Sequence, residues 1–203
     1  MLKKAFEISI TGYLLKIKLL GDKEFKKDVK NNVDIQTLLN CIKGLDDKSI
    51  VAACKATTYD VWYRNPMCAM GAKGSIDTNP DKQTIENIRI MINRSLEFWN
   101  QYGPITKDGF TFGKDGYTKT VDTGDGNDIL WDFKVSKDKL KNKHTLQLLM
   151  YWIMGQHSQK PEFKKISKLG VFNPRLNVVY LYEIDQLSKD VIKDVEDNVI
   201  CYW

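Results

Sequence analysis

Histidine and cysteine are scarce: the 203-residue chain holds two histidines and four cysteines. Cys41, Cys54, Cys68 and Cys201 form no C-x-x-C pair, and His144 and His157 are not spaced with them as ligands, which argues against a structural zinc site. Iron–sulfur clusters need several cysteines close together, and only Cys201 falls late in the chain. Long apolar runs are missing too. None approaches the ~20 residues that cross a bilayer, and Lys16 and Lys18 interrupt the first candidate. Residues 1–7 contain no apolar stretch of signal-peptide length. The expectation is a reduced, cytoplasmic protein with no zinc, no iron–sulfur cluster and no membrane partner.

Repeats and low-complexity tracts are also lacking. What is present is an ordinary folding composition, 42% hydrophobic and 28% charged, well away from the disordered class. Basic residues exceed acidic ones by 31 to 26. That excess is compatible with a nucleic-acid partner, and equally with a lysine-rich surface.

Along the chain, residues 5–20 are apolar with interspersed polar positions and read as strand or helix, and residues 21–33 as a charged loop. Asp34 caps a short helix over 35–43, and Asp46 or Asp47 caps a second running to Trp62. Residues 65–77 read as loop. Asn79-Pro80 then opens the clearest helix, with Ile85, Ile88, Ile92, Leu96 and Trp99 on one stripe and Gly103-Pro104 as its stop. Glu86, Asn93 and Glu97 share a flank of it. A strand-rich block follows, with a turn at Asp125-Gly126 and a return strand from Ile129 to Val135. His144 to Met154 reads as a helix stopped by Gly155. Residues 169–173 and 177–184 read as a hairpin, and 187–197 as a final helix. Residues 1–80 are thus a mostly helical N-terminal elaboration, and residues 81–203 the core, within one compact domain overall.

Chemistry concentrates at Trp131-Asp132-Phe133-Lys134. Residues two apart on a strand project from the same face, and the neighbours Leu130, Trp131, Phe133 and Val135 are apolar. A carboxylate and an ammonium in such a strand are costly unless they pair or bind a metal. An isolated D-x-K is more often a structural pair. Thirteen residues beyond Lys134, Gln147 and Tyr151 stand four apart and share a helix face.

The succession of hairpin, D-x-K strand, basic loop and Q-x-x-x-Y helix resembles the nuclease core of the RecB-like branch of the PD-(D/E)xK superfamily. The resemblance covers roughly residues 84–184. It implies an α/β fold with a mixed central sheet flanked by helices, a restriction-endonuclease-like core. It implies Asp132 as a ligand of Mg2+ or Mn2+, joined by the Phe133 carbonyl. Lys134 would orient or activate the attacking water, and Gln147 and Tyr151 would position the DNA backbone or that water. A hard, oxygen-liganded cation suits phosphodiester hydrolysis, and a lysine near the phosphate stabilises developing charge.

The family's first aspartate stands on the preceding strand, and here the hairpin is short. Asp122, Asp125 and Asp128 are the candidates for that ligand. A strict two-residue turn pairs Lys119 with Asp132 and puts Asp122 on the opposite face; a one-residue bulge at Gly126 brings Asp122 to the Asp132 face. A glutamate from the preceding helix often joins the set, and Glu97 is chosen over Glu86. Lys137, Lys139, Lys141 and Lys143 form a basic loop suited to phosphates, or a solvated one. Tyr59, Trp62, Tyr63 and Arg64 are either base-stacking or core residues.

The implied function is Mg2+-dependent DNA cleavage in phage biology, recombination or defence. Exonuclease is preferred to endonuclease because the Q-x-x-x-Y branch is rich in exonucleases. The alternative is a catalytically silent nuclease fold that binds nucleic acid or a protein, for instance a phage-encoded inhibitor of a defence complex, with the N-terminal region as the protein-binding part.

Overall fold

Short polar side chains start most of the helices in the computed structural model. Asp34 accepts a hydrogen bond from Thr37 N, Asp46 from Ser49 N, Asn65 from Cys68 N and Asp81 from Thr84 N, each satisfying one orphan donor of a first turn. The structure describes residues 2–103, 105–107, 111–112, 117–118, 122–124, 128–158 and 161–202; for 2–6 and for the described residues between 105 and 124 it describes the backbone alone. The chain divides into two units, Met1–Ile90 and Met91–Trp203.

The first unit is helical: α1 (Leu2–Leu20), α2 (Asp22–Lys30), α3 (Ile35–Cys41), α4 (Asp47–Arg64), α5 (Pro66–Met70) and the start of α6 (Lys82–Tyr102). Its core gathers Tyr13, Ile35, Leu38, Ala52, Ala56, Tyr59 and Trp62. Helices α1 and α4 approach so closely at Gly12 that a Cβ there would stand 1.9 Å from the Tyr59 carbonyl oxygen. Tyr59 and Trp62 belong to this core, whereas Tyr63 is exposed.

Two segments expected as loop are helical. Residues 21–33 contain α2, whose charges suit a solvated helix, acids in the first turn and lysines in the last. Its one buried residue, Asp28, pairs with Lys16 Nζ at 2.7 Å. Within residues 65–77, α5 starts on the Asn65 cap with Pro66 at its first position. Helix α6 is capped by Asp81 rather than Asn79. Gly103 follows it at φ +86°, the left-handed conformation that suits a helix end.

The second unit is a mixed α/β structure. Strands β1 (Ile105–Lys107), β4 (Asp122–Gly124), β5 (Ile129–Phe133), β6 (Lys168–Asn173) and β7 (Val178–Glu183) form one sheet in the order β1-β4-β5-β6-β7; β2 (Thr111–Phe112) and β3 (Tyr117–Thr118) pair separately. Among the described residues only β5 and β6 are parallel neighbours. They are joined by α7 (Asn142–His157), a β-α-β unit. The hairpin β6–β7 falls where the sequence places it. Helix α8 (Lys189–Val195) and a π turn (Glu196–Ile200) end the described chain.

Alternation along β5 sends its residues to two different layers. Ile129, Trp131 and Phe133 pack with Phe98 of α6 and with Phe172, the Phe98 and Phe172 rings stacked at 4.4 Å. Leu130 packs instead with Leu148, Tyr151 and Ile153 of α7. Phe98, outside the apolar stripe expected for α6, anchors the helix to the sheet together with Tyr102 and with Trp99 of that stripe, while Ile85 of the stripe is buried and Ile92 and Leu96 are exposed. Gly155 does not stop α7, which runs on to His157. A Cβ at Gly155 would stand 1.9 Å from the Phe163 ring, so its small size serves close packing.

Candidate functional site

Strand β5 and helix α7 bring four residues of the sequence motif into one chain of contacts. Asp132 and Lys134 project from the β5 face that turns to α7. Lys134 Nζ lies 2.8 Å from Asp132 Oδ2 and donates to Gln147 Oε1 at 2.9 Å. Gln147 Nε2 in turn donates to the Tyr151 hydroxyl. The four-residue step from Gln147 to Tyr151 is what allows one helix face to continue a line begun on the strand. Asp132 Oδ2 is shut off from water and has the ion pair but no aligned hydrogen bond. A buried acceptor in that state suits a hard cation or a donor on a substrate.

The exit of β5 is held at two points. Lys134 N donates to Phe172 O at 3.0 Å, continuing the parallel ladder. Beyond it, the buried Asn173 side chain donates to Ser136 O at 2.8 Å and accepts from Arg175 N and Leu176 N in the β6–β7 turn. Arg94 of α6 donates to the carbonyls of Pro174 and Arg175 in the same turn. Asn173 was not among the expected site residues; its place in an Asn-Pro turn after an apolar strand was the available signal.

Electrostatics couple the group. Burial raises the Tyr151 phenol above its ordinary range; the Gln147 hydrogen bond opposes this and the Asp132 charge adds to it. His144 is held below the usual histidine range by burial first and then by the Lys134 and Lys143 charges. Its Nδ1 accepts from the Lys141 backbone N–H at 3.4 Å, which leaves the proton on Nε2. His144, expected only to start the helix, lines a cleft of about 310 Å3 together with Lys134, Val135, Ser136, Asp138, Lys141 and Lys143.

The remaining expected residues are placed differently. Asp122 pairs in register with Trp131, and Thr123 with Leu130. This is not the register of a strict two-residue turn, the first of the two alternatives, which sets Lys119 opposite Asp132; Gly126, where the second placed a bulge, lies outside the described residues. The observed register leaves Asp122 one residue off the position opposite Asp132. The Asp122 side chain, and Asp125 and Lys119 altogether, lie outside the described residues. Asp128 is exposed and adopts φ +51° just before β5. Its carbonyl accepts from Ser167 N, so its backbone ties β5 to the start of β6. Glu97 is exposed on α6, the helix that packs through Phe98 on the other face of the sheet from Asp132. Lys137 and Lys139 are exposed in the loop outside the cleft wall.

Among the described residues no three His, Cys, Asp or Glu side chains gather as metal ligands, and no helix is long and apolar enough to cross a membrane. No protein-family model, curated protein or solved structure matches the chain.

Proposed function

We propose that the second unit carries a divalent-metal-dependent DNA nuclease site of the RecB-like PD-(D/E)xK kind, on a restriction-endonuclease-like core, acting in phage biology, recombination or defence. The observation that carries this reading is the continuous contact from Asp132 through Lys134 and Gln147 to Tyr151. Four polar residues dispersed over strand and helix have no reason to converge on a partly open face if each were merely solvated.

In this reading the Asp132 carboxylate holds Mg2+ or Mn2+, and Asp122 or Asp125 is the candidate for a second ligand. The cation, when bound, supplies Lewis-acid polarisation of the scissile phosphate. Lys134 serves two partners. It neutralises Asp132 at rest, and with a substrate in place its ammonium turns to the phosphate oxygens, where it stabilises developing negative charge. Gln147 fixes the lysine head from the helix side and Tyr151 fixes Gln147, so the ammonium is oriented before substrate arrives. Lys141 and Lys143 hold the nucleic-acid backbone. Action at ends is preferred to internal cleavage on the likeness to the Q-x-x-x-Y branch.

A specific observation favours a second reading, a silent nuclease fold that binds nucleic acid or a protein. The register of Asp122 opposite Trp131 and the exposed Glu97 leave Asp132 without a described carboxylate partner. One assay separates the two. Linear, circular and single-stranded DNA are incubated with the protein in Mg2+ or Mn2+, beside Asp132→Ala and Lys134→Ala. Metal-dependent cleavage that falls at least ~100-fold in both variants supports the nuclease, and sparing of circles identifies an exonuclease. Absence of cleavage by the folded wild-type protein on every substrate overturns the nuclease reading and leaves the silent fold.

A further inference from the structure

Helix α7 begins in a way that the charge pattern of helices disfavours. The helix macrodipole is positive at the N-terminus, where acidic residues are stabilising and cations are not. The first turn of α7 holds no acidic residue; it holds Lys143 and His144 and is preceded by Lys141 at the cap. An ammonium has no lone pair, so Lys141 cannot cap the helix, and no side chain accepts from the first-turn amides. Directly against this helix end lies the cleft of about 310 Å3, whose wall adds Lys134 and Ser136. Asp138 is the acidic residue of that wall and already pairs with Lys141 at 2.8 Å. Lys134 and Lys141 each have a carboxylate, Asp132 and Asp138, whereas among the described residues Lys143, the imidazole N–H and the uncapped helix end have none, so positive charge is left over at this end of the cleft.

We propose that this cleft is a seat for a phosphate group, held by Lys134, Lys141, Lys143, the His144 Nε2–H and the Asn142 and Lys143 amides at the start of α7. The seat deepens the nuclease reading, because Lys134 belongs to both: a phosphate in the cleft sits one side chain from Asp132. An oxyanion supplies what the sequence omits at this helix end, negative charge and acceptor lone pairs. His144 contributes as a neutral donor whose direction is set by the Lys141 N–H on its other nitrogen. Lys137 and Lys139, outside the cleft wall, take no part.

The test uses the full chain without divalent metal, so that it does not depend on cleavage. Thermal unfolding is followed in potassium phosphate and in potassium chloride at equal ionic strength. The wild-type protein is expected to melt about 1–4 °C higher in phosphate. The Lys141→Ala/Lys143→Ala variant, relieved of cations at the helix start, is expected to melt at or above the wild type in chloride and to gain nothing from phosphate. Lys143→Glu is expected to behave in the same way, and Lys137→Ala/Lys139→Ala to keep the full phosphate response. No phosphate-specific shift in the wild type, or an undiminished shift in the Lys141→Ala/Lys143→Ala variant, overturns the proposal.

The source of the phosphate is read by anisotropy with oligonucleotides in chelator. Tighter binding of a 5′-phosphorylated strand than of its hydroxyl counterpart, lost in the double variant, assigns the seat to a strand end. Equal binding of both strands, also lost in the variant, assigns it to backbone phosphodiesters. A phosphate shift without oligonucleotide binding assigns it to a small free phosphate; the seat then stands, and the cleavage assay with metal decides the nuclease reading separately.

Discussion

Lys16–Asp28 of the first unit and Lys134–Asp132 of the second are lysine–aspartate pairs of nearly the same length, and the two differ in what surrounds them. Lys16 and Asp28 stand 2.7 Å apart with side chains 11% and 1% exposed. Lys134 and Asp132 stand 2.8 Å apart at 25% and 17%. The first pair is enclosed: Glu24 lies 3.7 Å from Lys16, and Tyr59 donates to the Val33 carbonyl and reaches Asp28 Oδ2 at 3.5 Å. It joins α1, α2 and α4, and both of its residues line a smaller cleft of about 250 Å3. The second continues through Gln147 to Tyr151 and opens on a cleft. Pair chemistry alone therefore does not mark a site. What sets the second pair apart is its greater exposure and the continuation of its contacts through Gln147 to Tyr151 along a second element.

Three experiments would break or sharpen this contrast. The largest effect is expected for Asp28→Ala, which leaves the Lys16 ammonium buried without its partner. Breaking a buried pair from one side costs about 3–5 kcal/mol, measured as a fall in the denaturation midpoint. Lys16→Met/Asp28→Leu should recover most of it; a double variant no better than the single would show that the pair holds the helices by more than its charges.

An intermediate effect is expected at high pH. Burial, and then the charges of Asp28 and Asp34, push the Tyr13 phenol up to about 12, and Tyr59 is raised in the same direction by burial. Above pH 10 the unfolded chain loses these protons while the folded chain keeps them. Stability is therefore full below pH 10 and declines as pH rises through 10 toward 12. Tyr13→Phe should flatten part of that decline in a denaturation series across this window. An unchanged slope would place the Tyr13 hydroxyl in contact with water.

The smallest effect on stability is expected for Asp132→Ala, about 1 kcal/mol or less, because its pair is partly solvated. A loss approaching that of Asp28→Ala would make Asp132–Lys134 a second structural lock and remove the main support for a catalytic role.

The same contrast explains what could be read in the sequence. The D-x-K strand, the Q-x-x-x-Y helix and the following hairpin were legible because each rests on local periodicity: alternation on β5, a four-residue step on α7, and turn residues from Asn173 to Asn177. Helix α2 was not, since its buried side chain is a charged one whose partner, Lys16, lies on another helix, and composition alone makes such a segment a loop. Gly155 looked like a stop because glycine ends helices more often than it accommodates a ring; Phe163 decides the matter from outside the helix. Phe98 was passed over because a stripe counted at three- and four-residue steps favours its neighbours. At the site, spacing put Asp132 with Lys134 on a strand face and Gln147 with Tyr151 on a helix face; that the two pairs meet was what the family resemblance implied. The cleft role of His144 was not foreseeable, as it depends on where the loop after β5 folds back.

The close approach at Gly170 bears on how this sequence can vary. A Cβ on that β6 residue would stand 2.3 Å from the Trp131 ring, which lies over it from the neighbouring strand in direct register. Trp131 immediately precedes Asp132, so a side chain at 170 would push on the strand that carries the carboxylate. The two positions are thereby constrained as a couple. Among homologous sequences that keep the aspartate, a residue larger than glycine at 170 should coincide with a smaller one at 131, and the pair should change together or not at all.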